Sequence, residues 1–143
     1  MKLSSAPPVT GVIETVLYVD DLPRAIAFYQ RLFGFHVLQE DHRFCAFDVA
    51  GRTVLLLFLR GASREPVPLP WGHRIPPHDG QGPWHFGFAI PRGSDALWET
   101  HLREADVIIE SIVTWPRGGR RLYFRDPDGH AVELLTPVVW ETY

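Results

Sequence analysis

A chain of 143 residues with a formal net charge of −3 has room for one domain or two small fused modules. Hydrophobic residues make up 45% of the chain and aromatic residues 13%, which is enough for a sizeable core. The basic residues form no run, so the composition argues against binding to nucleic acid or to an anionic membrane surface. No apolar stretch is long enough to span a bilayer.

The chain contains a single cysteine, Cys45. One cysteine can form neither an intrachain disulfide nor a multi-cysteine metal cluster, so we expect a reducing, cytoplasmic setting. Because no cationic motif lies beside it, we interpret Cys45 as a core residue and not as a nucleophile. Residues 1–10 lack the long apolar segment of a signal peptide and are predicted to be a loose leader.

Residues 11–60 are predicted to form a β-α-β-β-β module. Strands are predicted at 11–19, 35–40, 43–49 and 52–60, with a helix at 22–33 after the first strand. Asp21 can cap this helix and Gly34 can end it. The first strand is mostly β-branched and aromatic, and it carries an unexpected carboxylate, Glu14.

Residues 61–82 are rich in proline and show no periodicity, so they are predicted to form a long connecting loop. Loops of this length in compact domains are usually linkers or binding loops. Trp71, His73 and His78 lie in this loop, which could close over a site as a lid. For His73 and His78, a solvated loop residue is a commoner interpretation than a catalytic base.

Residues 83–137 are predicted to repeat the β-α-β-β-β order, followed by a tail at 138–143. Strands are predicted at 83–90, 107–113, 121–125 and 131–136, with a helix from Ser94 or Asp95 through Ala105. The segment Asp126-Pro127-Asp128-Gly129 is a strong turn signal before the last strand. That strand also carries a carboxylate, Glu133.

Aligning the two modules places chemically active residues at equivalent positions. The first strands align Glu14 with His85, and the turns before the last strands align Glu133 with Leu55. Three of these four positions hold residue types that bind metal ions. On its own strand Glu133 could lie on the solvent face, but the alignment with an apolar run predicts an interior position, where a carboxylate needs a partner.

The same residues resemble the vicinal oxygen chelate superfamily, which includes glyoxalase I, fosfomycin-resistance enzymes, extradiol dioxygenases and bleomycin-resistance proteins. The resemblance covers nearly all of residues 12–137. It is carried by the segments at 17–22, 27–29, 32–35, 85–88 and 123–130, together with Glu133. It implies an α+β fold in which two tandem βαβββ modules form a curled, cup-like mixed sheet.

The resemblance also implies a divalent metal ion in the cup, with Glu14, His85 and Glu133 as its ligands. Two carboxylates and one imidazole suit Mn²⁺, Fe²⁺, Mg²⁺, Zn²⁺ or Ni²⁺. Relatives with three ligands carry His where this chain has Glu14, and glyoxalase-like relatives add a carboxylate at the position aligned with Leu55. Both departures argue against an ordinary glyoxalase I. The alternative is a metal-free cup in which Glu14 and His85 form a hydrogen bond.

Other residues are predicted to complete the site. The candidate catalytic residues are Glu133, Tyr18 and Tyr123, and the candidate substrate-binding residues are Trp71, His78, Trp115 and Arg121. Tyr18 shares the face of Glu14 and could donate a hydrogen bond. Arg121 could hold a carboxylate or a phosphonate, although a surface arginine is the commoner interpretation. The two tryptophans could stack on an aromatic ligand or serve in packing.

Two functions follow from these residues. The leading hypothesis is a metal-dependent lyase, isomerase, dioxygenase or transferase that chelates oxygens of a small-molecule substrate. The alternative is a non-catalytic protein that sequesters an antibiotic, as bleomycin-resistance proteins do. Glu at position 14 disfavours a ring-cleaving dioxygenase. A homodimer is expected, with each cup built from one chain or from two.

Overall fold

The structure is a computed structural model that describes residues 5–143, so residues 1–4 of the predicted leader lie outside the described residues. The helices are α1 (Leu22–Phe33) and α2 (Asp95–Glu104). The strands are β1 (Glu14–Val19), β2 (His36–Glu40), β3 (Phe44–Val49), β4 (Thr53–Leu59), β5 (Val67–Pro68), β6 (Arg74–Ile75), β7 (His85–Ala89), β8 (Ser111–Thr114), β9 (Arg120–Arg125) and β10 (Ala131–Leu135).

Two four-stranded mixed sheets share one topology. The first has the order β1-β4-β3-β2 and the second the order β7-β10-β9-β8. In each, the first strand pairs in parallel with the last, and the remaining pairs are antiparallel. The prediction of two tandem βαβββ modules is therefore confirmed.

Local signals set the limits of α1. The side chain of Asp21 accepts a hydrogen bond from the backbone N–H of Arg24 at 3.0 Å, and Pro23 occupies the first turn. Gly34 ends the helix in a left-handed conformation with φ of 66°, and its N–H donates to the Gln30 carbonyl. The predicted caps of this helix are thus both present.

Two segments differ from the prediction. The predicted strand at 107–113 begins only at Ser111, because the Val107 N–H donates to the carbonyl of Leu102 and so continues the turn that ends α2. The loop at 61–82 contains the short hairpin β5–β6, in which Val67 pairs with Ile75. Trp71 and Gly72 turn this hairpin with φ values of 63° and 80°. The hairpin strands have two residues each, which is too short for a periodic signal.

One hydrophobic core joins the two modules. Phe33 at the end of α1 contacts rings of the second module, with its centroid 4.7 Å from that of Phe88 and 5.5 Å from that of Trp98. The inward side chains of both sheets belong to the same buried cluster, among them Leu17, Val19, Leu55, Leu57, Leu122, Phe124, Val132 and Leu134. Because side chains alternate along a strand, the opposite face of each sheet is left for a site.

The Asp126–His130 turn fixes the second module against the first. The Asp126 carboxylate accepts a hydrogen bond from the Tyr29 hydroxyl at 2.8 Å, and burial raises the pKa of this carboxyl. The backbone N–H of Trp84 donates to Nδ1 of His130, so the proton of the neutral ring is on Nε2. That nitrogen donates to the Tyr18 carbonyl at 2.9 Å. Both modules are therefore tied to one buried imidazole.

No helix within residues 5–143 has both the length and the apolarity that a membrane span requires.

Candidate metal and substrate site

The strand register corrects one sequence alignment. Glu14 pairs with Val54 across β1 and β4, and His85 pairs with Ala131 across β7 and β10. Because Glu14 and His85 are equivalent, their partners Val54 and Ala131 are equivalent too. Two residues further along each strand, Leu56 is therefore equivalent to Glu133. The predicted equivalence with Leu55 is therefore wrong. The sequence alignment matches the turn glycines Gly51 and Gly129, but Val54 lies three residues after Gly51 whereas Ala131 lies two residues after Gly129. This one-residue slip moves the aligned side chain to the other face.

His85 and Glu133 come together on the outer face of the second sheet. Their Nε2 and Oε1 atoms are 3.4 Å apart. Nδ1 of His85 lies 3.1 Å from the Ala131 carbonyl, which can only accept, so this bond places the proton of the neutral ring on Nδ1. The lone pair of Nε2 then points toward the carboxylate. A backbone carbonyl behind the ring is the arrangement typical of metal-binding histidines.

Glycine at position 87 makes room for this carboxylate. Gly87 is the β7 partner of Glu133 in the parallel ladder. A Cβ atom at this position would lie 2.7 Å from Cγ of Glu133 and 2.8 Å from Cδ2 of Leu135. Any larger residue would therefore displace the Glu133 side chain.

Glu133 is buried with one oxygen unpaired. The residue is only 6% exposed, and its Oε2 atom has no hydrogen-bond partner. The cationic Nη1 atom of Arg121 lies 3.6 Å from this Oε2 atom. A buried carboxylate oxygen without a donor is costly. A divalent cation bound by this oxygen and by the half-exposed imidazole of His85 would supply the missing partner.

Arg121 lies between two indole rings. Its guanidinium carbon is 5.1 Å from the ring centroid of Trp115 and 5.3 Å from that of Trp140. Nη1 donates to the Tyr123 hydroxyl at 3.3 Å, and the Tyr123 ring stacks on that of His85. The structure thus gathers the predicted residues Trp115, Arg121 and Tyr123 around Glu133. Trp140 was not predicted, because it follows the last strand in an aperiodic tail.

Glu14 lies on the other sheet. It lines a cleft of about 660 Å³ on the outer face of the first module, together with Tyr18 and His78. Among the side chains of residues 5–143, no group of three or more His, Cys, Asp or Glu comes close enough within one chain to hold a metal ion. The predicted ligands are thus divided between two faces: one carboxylate on the first, the other two residues on the second.

Tyr18 and His78 form a pair in this cleft. The Tyr18 hydroxyl and Nδ1 of His78 share a hydrogen bond of 2.7 Å. Burial and the neighbouring Asp79 raise the pKa of Tyr18, so its phenol stays protonated at neutral pH. His78 therefore reaches this cleft from the loop. Trp71, the other predicted loop residue, is 93% exposed at the hairpin turn.

Asp79 holds the end of the loop in place. Its carboxylate accepts a hydrogen bond from Nε of Arg64 at 2.8 Å and another from the N–H of Gly61 at 3.0 Å. These bonds, that from Arg64 first, lower the pKa of Asp79 to about 2. The N–H of His78 donates to the Ser63 carbonyl. The two ends of the loop are thereby joined beside the cleft.

A protein-family comparison matches residues 11–134 to the model described as the Glyoxalase/Bleomycin resistance protein/Dioxygenase superfamily. The chain belongs to this superfamily. The resemblance inferred from the sequence is therefore confirmed.

Individual relatives agree with this assignment. The metallothiol transferase FosB of Bacillus licheniformis is 26% identical over 134 residues, covering 93% of this chain and 79% of the relative. The crystal structure of lactoylglutathione lyase from Agrobacterium tumefaciens has a TM-score of 0.84 and 31% identity, and covers 94% of this chain and 99% of that one. The fosfomycin resistance protein FosX of Listeria monocytogenes shares the fold, with a TM-score of 0.66, 20% identity, and coverage of 92% of this chain and 97% of that one.

The names of these relatives bear on the predicted class of protein. A transferase and a lyase are both enzymes, so the expectation of a metal-dependent enzyme of this superfamily is confirmed. Nothing in the comparisons favours the non-catalytic alternative more strongly.

Proposed function

We propose that the protein is a dimeric, divalent-metal-dependent enzyme in which Glu14 of one chain joins His85 and Glu133 of a second chain. The observation that carries this proposal is the buried, unpaired Oε2 of Glu133 beside Nε2 of His85. Two ligands leave the site incomplete, and the third candidate lies on the other sheet.

The two-chain cup is supported by where the core lies. The inward faces of both sheets pack into one cluster, so the outer faces cannot close on each other without breaking that cluster. A second copy can supply the missing half to each face. A symmetric dimer would then contain two equivalent cups, each using the first module of one chain and the second module of the other.

In this proposal the chain's own side chains divide the work. When bound, a divalent cation would supply Lewis acidity to oxygens of the substrate. Tyr18, kept protonated by its raised pKa, can donate a hydrogen bond to a substrate oxygen that becomes negative. Tyr123 and Arg121 hold Glu133 and the His85 ring in position. The β8–β9 turn brings Trp115 over Arg121 and limits the access of water to this pair.

The residue that the strand register places at the position equivalent to Glu133 in the first module favours some reaction classes over others. Leu56 stands there, so the cup has no further carboxylate at that slot to act as a base. This supports addition or group transfer to a chelated substrate over isomerisation by proton abstraction. We also propose a reducing, cytoplasmic setting, which is supported by the buried thiol of Cys45, whose pKa burial raises to about 11.

Metal binding tests the proposal directly. Protein stripped with a chelator is titrated with Mn²⁺, Zn²⁺, Ni²⁺, Fe²⁺ and Mg²⁺ separately, and the bound ion is counted by mass spectrometry. We expect one ion per chain, and at least a tenfold loss of affinity in Glu133→Gln. Glu110→Gln, which changes an exposed carboxylate paired with Arg125, is the matched control. Wild-type protein that binds none of these ions would overturn the proposal.

A further inference from the structure

The cleft on the first sheet has apolar walls, and among residues 5–143 no lysine or arginine lines it. Its volume of about 660 Å³ lies within the range of small-molecule sites. Its lining residues are Glu14, Val16, Tyr18, Leu38, Gln39, Phe44, Ala46, Val54, Leu56, Phe58, Ile75 and His78. Neither lysine nor arginine is among them.

Aromatic rings form one wall of this cleft. The rings of Phe44 and Phe58 stack with centroids 5.4 Å apart, and the His78 ring meets Phe58 edge-on at 4.5 Å. Leu38 and Ile75 stand at the rim with 54% and 46% of their surface exposed. Large apolar side chains left open around a concave surface mark a site for an apolar ligand.

The electrostatics of the cleft disfavour anions. Glu14 contributes a carboxylate to the lining, and the charge of Asp79 already reaches far enough to raise the pKa of Tyr18. In the metal-free cleft, an anionic ligand would lose its hydration without finding a cationic partner. The other polar groups of the lining are the Tyr18–His78 pair and the amide of Gln39.

We infer that this cleft takes an uncharged ligand with a flat, aromatic body, which lies against Phe44 and Phe58 with a polar atom toward the Tyr18–His78 pair. This rests on the proposed function only in taking the cleft as the substrate half of the cup. The substrate class it names is a neutral aromatic compound that carries the chelating oxygens. Without a metal ion, this half of the cup favours neutral ligands over phosphonates and other small anions.

Two probes with the same naphthalene ring test the inference. The neutral 2-naphthol and the anionic naphthalene-2-sulfonate are titrated into wild-type protein by calorimetry, with excess chelator present. We expect 2-naphthol to bind and the sulfonate to bind at least roughly tenfold more weakly, because like charges oppose it. The chelator separates this test from the proposed function, since loss of the metal site leaves the apolar cleft intact.

A positive charge introduced into the cleft locates the bound probe. Leu56→Arg places a cation in the lining, and we expect it to weaken 2-naphthol and strengthen the sulfonate, each by roughly tenfold. Ile108→Arg adds the same charge at a residue that is 85% exposed and outside the lining, and it should change neither. Val54→Arg serves as a second variant on the same face if Leu56→Arg does not fold.

Three outcomes would overturn the inference. The sulfonate could bind wild-type protein as tightly as 2-naphthol, or neither probe could bind. In the third, 2-naphthol would bind with an affinity that both cleft variants leave unchanged, which would place it elsewhere on the protein.

Discussion

Nη1 of Arg121 lies 3.6 Å from Oε2 of Glu133, and no hydrogen bond joins the two atoms. Both side chains are largely buried, with 12% and 8% of their surface exposed. The guanidinium therefore offsets the charge of the carboxylate while leaving its oxygen free.

Replacing Arg121 should separate stability from metal affinity. We expect Arg121→Met to lower the free energy of unfolding of metal-free protein by about 2–4 kcal/mol, because it leaves the buried carboxylate of Glu133 without its neighbouring positive charge. The same change should strengthen metal binding, since a competing positive charge is removed. Urea unfolding with and without metal measures both effects. Arg121→Lys, which keeps the charge, is the control, and weaker metal binding by the Met variant would contradict this account.

Mixing two inactive variants distinguishes a shared cup from a cup within one chain. Glu14→Gln and Glu133→Gln should each abolish tight metal binding as homodimers. In a heterodimer of the two, a cup shared between chains has one intact set of Glu14, His85 and Glu133. We therefore expect one tightly bound ion per heterodimer after co-refolding. If every cup lay within one chain, no intact set could form and no binding would return.

The buried hydrogen bond between Tyr29 and Asp126 should contribute measurably to stability. Tyr29→Phe removes a hydroxyl that donates to Asp126 at 2.8 Å while preserving the ring packing of the core. We expect the free energy of unfolding to fall by about 1–3 kcal/mol, because a buried acceptor loses a donor. Tyr143→Phe removes a hydroxyl from a residue that is 37% exposed, so water can replace its bonds and the loss should be smaller. Equal losses in thermal unfolding would count against the buried bond.

Acid should release the loop at 61–82 through Asp79. The pKa of this group is lowered to about 2 in the folded protein, against about 3.9 in an unfolded chain. Its contribution to stability is therefore present above pH 4 and lost as the pH falls from about 4 to about 2. The amide of Gly61, which donates to Asp79, should lose protection from exchange, relative to the intrinsic rate at each pH, as the pH falls across this range when followed by NMR.

Asp79→Asn is the matched variant for the acid transition. It keeps the size of the side chain but cannot titrate, so amide exchange at Gly61 should no longer depend on the protonation of residue 79. Glu65→Gln changes a neighbouring exposed carboxylate and should leave the transition in place. An unchanged transition in Asp79→Asn would show that another group controls the loop.

Much of the fold could be predicted because local signals agree with the tertiary structure. Asp21 and Gly34 bound α1 at both ends, and the β-branched first strand and the turn at Asp126–Gly129 occupy their predicted places. The burial of Glu133 was also predicted, although through an alignment with the wrong leucine, since Leu55 lies on the core face and Glu133 on the opposite one. Pairing register depends on where each ladder begins, and matching glycines in two turns does not determine it.

The assembly of the site could not be predicted in the same way. Strand alternation places Glu14 and Tyr18 on one face of their own strand, and the cleft confirms this. Whether that face meets His85 depends on how two sheets pack, which residue spacing within one module does not encode. The Trp140 contact with Arg121 depends likewise on the path of an aperiodic tail.

The close approach of the Gly87 backbone to Glu133 has a consequence for inherited variation. Every single-base change that replaces this glycine adds at least a Cβ atom, which would lie 2.7 Å from Cγ of the carboxylate. The rest of β7 makes its ladder bonds through backbone atoms that such a change leaves in place. A missense allele at codon 87 would therefore resemble the loss of Glu133 itself, even where the new residue is alanine, which carries no functional group.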